Sequence, residues 1–184
     1  MKGFFEDKPQ TVFRPTLECS LFSVQSVFAY SYIGHKWQDS HSPRYYFGST
    51  YQSLNYQNLT NNAAADWTNT PTHVIIQHDS AGKISFSTWQ DINSPYSGDT
   101  TYNNSWIPPF YILGAYCKIN TAVLSNYTNI EVQSLIAHEM GHALGLGESQ
   151  NVYALMDPYF SVRRANETFQ PRADDINGLN NIYP

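Results

Sequence analysis

The sequence predicts an α+β domain, and three observations carry that expectation. Two segments, one ending in the "HEMGHALGLGE" stretch and one at the C-terminus, place apolar residues at helical spacing behind clear start signals. Several runs between residues 44 and 120 are rich in β-branched and aromatic residues and bounded by turn formers. The order is strand, helix, strands, helix, helix rather than a regular alternation, which separates α+β from a parallel α/β fold. At 184 residues the chain suits one domain with a substantial core.

Residues 1–18 lack periodicity and read as an extended arm. "RYYFGSTYQSL" (44–54) is aromatic and β-prone, a candidate strand. "NYQNLTNNAAADWTN" (55–69) spaces Leu59, Ala63, Ala64 and Trp67 as a helix would, and Pro71 stops it. "THVIIQHDS" (72–80) predicts a strand that "AGK" turns into a second one, "KISFSTWQDI" (83–92), where Ile84, Phe86 and Thr88 alternate. "NSPYSGDTTYNNSWIPP" (93–109) is dense in turn formers and predicts a long loop. "FYILGAYCKIN" (110–120) predicts another strand. Thr128 and Glu131 have capping-box spacing. Val132, Leu135, Ile136, Met140, Ala143 and Leu144 supply the apolar face of the helix that follows, and Gly145 suits its C-terminal turn. "PRADDINGLNNIYP" predicts the last helix, with Ile176, Leu179 and Ile182 on one face.

Charged residues make up only 14% of the chain, so Asn, Ser, Thr, Gln and Tyr must build much of the surface, which points to an extracellular protein. A net charge of −5 offers no basic footprint for nucleic acid or anionic lipid. No apolar run approaches the roughly 18 residues a membrane span needs. Glu6 and Asp7 lie where a secretory leader would need its apolar stretch. Cys19 and Cys117 are the two cysteines. A disulfide between them is the plain expectation in a secreted protein, and two buried thiols the alternative.

The chemistry concentrates at 138–148. His138 and His142 are four apart on one helix face and can aim two ring nitrogens at one point. Two neutral imidazoles suit Zn²⁺. Glu139 is rotated by about 100° from His138, beside the metal but free to act as a base. There it can take a proton from zinc-held water and return it to a leaving amine. A catalytic zinc needs a third protein ligand. Gly145 lets the chain reverse, and Glu148 then falls where that ligand is required. A coincidental HExxH on an ordinary helix is the bland alternative.

These residues resemble the metzincin metallopeptidases, whose signature is H-E-x-x-H-x-x-G-x-x-H followed by a Met-turn. His138, Glu139, His142 and Gly145 match it, and Glu148 stands where most members carry histidine. "YALMDPYF" resembles the Met-turn of the matrixin branch, with Met156 beneath the metal and Pro158 and Phe160 on the wall of the substrate pocket. "DDINGLNNIY" resembles the matrixin C-terminal helix, whose aspartate pair ties it to the Met-turn. "KW" (36–37) has a matrixin counterpart before the first strand.

The resemblance implies a twisted mixed sheet, an active-site helix, a Met-turn and a C-terminal helix. It implies a catalytic domain over 35–184, with 1–34 an N-terminal arm or pro-like segment. The implied function is a secreted, monomeric zinc endopeptidase with one catalytic Zn²⁺, acting on peptides or proteins by a zinc-bound water that Glu139 activates. It also adds a thiol latch to the roles open to Cys19, although "LECSLF" lacks the latch sequence of the family. A pseudo-protease acting as a binding module is the alternative function, and an HExxH hydrolase with a distant glutamate ligand is a third. His78 and Asp79 do not reproduce the family's structural-zinc loop. A structural Ca²⁺ near Asp91 and Asp99 has no support beyond those carboxylates.

Overall fold

The computed structural model describes residues 29–38 and 43–184. Their elements are β1 (Lys36–Trp37), β2 (Arg44–Phe47), α1 (Leu54–Thr68), β3 (Gln77–His78), β4 (Ile84–Trp89), β5 (Gly98–Asn104), β6 (Tyr111–Asn120), α2 (Asn129–Ala143), α3 (Phe160–Ala165) and α4 (Ala173–Ile182). Six strands form one mixed sheet. β2 pairs in parallel with β3 and β4, and β4 in parallel with β6. β1 joins the first residues of β6 in parallel. β5 alone runs antiparallel, along β6 from Gly98↔Ile119 to Asn104↔Ile112. The architecture is the expected α+β type.

α1 and α2 pack against each other, and α2 packs on β5 and β6. Phe86, Ile84, Cys117 and Ile119 from the sheet meet Trp67, Ile136 and Met140 from the helices in one core. A Leu or Ile buried this fully contributes roughly 1.5–3 kcal/mol by leaving water. Three indole and phenol groups in this core donate to backbone carbonyls of α2 and its C-terminal end. Trp67 donates to Ala137 O, Trp37 to Ala143 O and Tyr183 to Leu144 O, at 2.8–2.9 Å. The last two serve the end of α2, where carbonyls have no partner within the helix.

Three expectations needed correction. The run 72–80 is a strand only at Gln77–His78. Val74 and Ile76 are buried, but Ile76 N donates to the Thr68 hydroxyl and not to a neighbouring strand. The candidate strand 44–54 stops at Phe47. The long loop 93–109 contains β5, whose alternation of half-buried and exposed residues was hidden by its Gly, Asp, Thr and Asn content. α3 was not foreseen either; six residues are too few to show helical period.

Glu131 does hold the start of α2. Its carboxylate accepts from the Thr128 amide at 2.7 Å and the Thr128 hydroxyl at 2.9 Å, and pairs with Arg164 of α3. The Thr128 amide, with Arg164 behind it, holds the carboxyl below its ordinary range. A carboxylate with a lowered folded pKa adds stability above its unfolded value near 4.5 and loses it as pH falls through the folded value. Glu131→Ala should therefore cost about 1 kcal/mol near neutral pH, and thermal melts should show the gap from wild type narrowing below pH 4.5. A gap that stayed constant on acidification would disprove this role.

Candidate active site

α2 sets His138 and His142 one turn apart, with ring centroids 4.7 Å apart and planes at 85°. The helix ends in a Schellman turn: Gly145 N donates to His142 O and Leu146 N to Gly141 O. Gly145 has φ +102°, and a Cβ there would lie 2.9 Å from the His35 carbonyl oxygen. Beyond it the chain runs antiparallel to residues 29–33. Ile33 N donates to Gly145 O, Gly147 N to Ser31 O, and the Ser31 hydroxyl to Glu148 O. That pairing returns Glu148 to the helix. Its carboxylate lies 3.6 Å from His138 Nε2 and 3.4 Å from His142 Nε2. One ligand atom from each of the three residues falls within 4.8 Å of the others.

The tautomers suit metal binding. His138 Nδ1 lies 2.9 Å from Leu155 O, and His142 Nδ1 2.9 Å from Leu146 O. A carbonyl can only accept, so these two contacts call for the tautomer with the proton on Nδ1, which leaves each Nε2 lone pair facing the shared point; at His138 the Arg163 guanidinium also approaches Nδ1, at 2.8 Å. Burial, reinforced by the Arg163 guanidinium, pushes His138 down to about 4. His142 is also buried, but the carboxylates of Glu148 and Glu139 outweigh that and raise it. Burial would raise Glu148, yet the two imidazoles hold it well below the usual carboxylate range. Two imidazole nitrogens and one carboxylate form a donor set that zinc hydrolases use.

Glu139 is 4% exposed and turns towards β5. Thr100 Oγ1 donates to its Oε2 at 2.7 Å. Burial raises its pKa, the direction a general acid–base needs. Gly98 lies against the same carboxylate: a Cβ there would fall 2.2 Å from Glu139 Oε1. Sequence reasoning missed Gly98 and Thr100 because it read their strand as a loop; the Thr100–Tyr102 alternation was the available signal. Gly98→Ala should displace Glu139 and lower kcat by about 10²-fold, with zinc content unchanged. Wild-type kcat in that variant would show that the carboxylate's position does not matter.

Met156 is fully buried under the helix. Its Sδ would lie 2.4 Å from a Cβ on Gly141, so the glycine makes room for it. Asp175 of α4 accepts from Leu155 N and Met156 N at 2.9 and 3.0 Å, and Asp174 from the Ser149 hydroxyl at 2.7 Å. A cleft of ≈ 730 Å³ runs over these groups, with Gly98–Thr100 on one wall and Pro158–Ser161 on the other. Phe160 stacks on Tyr127 at 4.4 Å there. Leu146 and Met156 are in the core and not among its lining residues.

Other expected residues lie elsewhere. Among the described residues Cys117 has no disulfide partner: it is buried on β6 with its Sγ 3.6 Å from Glu139 O, and Cys19, the other half of the expected disulfide, lies outside the described residues. His78 stacks on Phe47, and Asp79 pairs with Arg44. Asp91 caps its own turn through Asn93 N.

A helix carrying two histidines and a buried glutamate, closed by a glycine turn and a second carboxylate over a buried methionine, is an arrangement of the metzincin type. The matrixin family matches residues 62–184, more than half of the chain. The protein belongs to that family. Among its relatives, human matrix metalloproteinase-19 is 39% identical over 57 residues, 31% of this chain and 11% of that protein. Horse interstitial collagenase is 41% identical over 59 residues, 32% of this chain and 12% of that protein. Human neutrophil collagenase is 31% identical over 93 residues, 50% of this chain and 20% of that protein. The chain thus matches no more than a fifth of the length of these relatives.

Proposed function

We propose that this protein is a secreted zinc endopeptidase, acting as a monomer on peptides or proteins, with 35–184 as its catalytic domain and 1–34 as an N-terminal arm or pro-like segment, of which 1–28 lie outside the described residues and 29–33 pair with the chain after Gly145. The observation that carries this is the convergence of His138 Nε2, His142 Nε2 and the Glu148 carboxylate, with the Glu139 carboxyl beside them. His138, His142 and Glu148 would hold one zinc ion. Bound there, zinc would supply Lewis acidity, polarising a scissile carbonyl and easing the ionisation of water near neutral pH. Glu139 takes the proton from the attacking water and delivers it to the leaving nitrogen. Thr100 and Gly98 fix where its carboxyl lies.

The cleft geometry supports an extended peptide. Among the described residues β5 pairs only with β6, which leaves its outer edge of backbone groups for a substrate strand. No helix among the described residues is long and apolar enough to cross a membrane. Pro158 and Phe160 form an apolar wall, and Tyr127 and Leu135 extend the apolar lining. Cleavage before bulky apolar or aromatic residues should follow. Sequencing the products from a denatured protein substrate checks this, and a profile dominated by charged residues after the cut would contradict it.

Incubating such a substrate with and without a chelator tests the function itself. Cleavage that stops with chelator and returns with zinc is the expected result. Zinc binding without cleavage would instead make the protein a binding module on a peptidase fold.

A further inference from the structure

Arg163 is the least expected group near the site. It lies on α3 and is 2% exposed. Among the described residues no carboxylate sits within ion-pair distance of it, and its Nε is buried without a hydrogen-bond partner. One terminal nitrogen donates to Asp157 O at 2.5 Å and lies 2.8 Å from His138 Nδ1. The contact with His138 is a hydrogen bond only in the tautomer whose Nδ1 is bare; in the metal-binding tautomer it is a cation set against the back of the ring. A guanidinium can only donate, and in that second tautomer the Nδ1 proton is given to Leu155 O. The cation therefore meets the back of an imidazole whose front faces the metal point. The Phe160 ring lies 5.6 Å from the guanidinium carbon and the Asp157 carbonyl accepts from it, but neither is an anion; a buried cation without a carboxylate partner is costly and persists where nearby charge compensates it. On the other side of that ring the Glu148 carboxylate lies 3.6 Å from His138 Nε2, so one imidazole separates the cation from the anion.

We propose that Arg163 is the built-in counter-charge of Glu148. Glu148 adds a negative charge to the metal site where the family pattern has a neutral histidine. The guanidinium adds a positive charge one imidazole ring away from the metal point. Together they leave the site with the net charge that three imidazoles would give. The inference rests on Glu148 being a ligand. Arg163 touches neither the metal point nor a reacting atom, so it is a positioning residue that acts through charge. A structural tie from α3 to Asp157 O is the competing role, and it would not set metal affinity by charge.

Competition with a chromophoric chelator reads zinc affinity directly, without activity. Four proteins are compared: wild type, Arg163→Met, Glu148→His and the double variant. Removing the cation should tighten zinc at least about tenfold in both backgrounds, since two like charges a few ångströms apart repel even through a water-like dielectric. The double variant should therefore recover affinity lost in Glu148→His. Arg163→Lys keeps the charge and should stay near wild type, which guards against a packing effect in Arg163→Met. Zinc no tighter in Arg163→Met, or Arg163→Lys behaving like Arg163→Met, would overturn the proposal. Glu148→Ala holding zinc as tightly as wild type would overturn the ligand assignment, and the pairing with it.

Discussion

Glu139→Ala is expected to lower kcat by about 10² to 10⁴-fold while zinc stays bound. Both halves follow from the same geometry. The Glu139 carboxyl points towards Thr100 and Gly98, whereas the three converging ligand atoms belong to His138, His142 and Glu148. Removing it should leave the ligand set whole and take away the proton carrier. Glu139→Gln should behave alike, because an amide keeps the shape but cannot take up the proton. Parallel metal analysis and single-turnover cleavage would show it. Activity within tenfold of wild type in Glu139→Ala would remove Glu139 from the mechanism.

The second large effect concerns Glu148. Glu148→Ala should weaken zinc by more than about 100-fold, beyond what loss of a supporting hydrogen bond costs, and abolish cleavage. Glu148→His should regain zinc and some activity, because imidazole restores a third donor at the same point. The carboxylate is half exposed, with its backbone held by Ser31. A substitution there should not disturb the core, so thermal stability of the metal-free variants should match wild type. Dialysis against a mild chelator, followed by metal analysis, reads the result. Stoichiometric zinc surviving in Glu148→Ala would mean that another group completes the site.

What the sequence made legible was local. The start of α2 could be read because Thr128 and Glu131 are three residues apart, and its end because Gly145 alone suits the turn. The aspartates of α4 could be read through resemblance, and they reach the Met156 segment by hydrogen bonds in the structure. What stayed hidden was long-range. Among the described residues β5 pairs along one edge only, and its Gly, Asp, Thr and Asn content imitates a loop. Gly98 matters only because Glu139 arrives from 41 positions away, and nothing in "YSGDTT" announces that. Arg163 sits three residues past the end of "YALMDPYF", the segment that carries the resemblance. Its burial against His138 is a product of how α3 folds back under the site.

The central claim is that one zinc ion, held by His138, His142 and Glu148, makes this chain a peptidase. Titrating metal-depleted protein with zinc while following cleavage of a peptide substrate tests it most directly. Activity should be absent at the start, rise in proportion to added zinc and level off at about one ion per chain; Glu139→Ala should take up the same zinc and stay inactive. Full cleavage by the metal-depleted protein, or zinc uptake with no cleavage by wild type, would contradict the account.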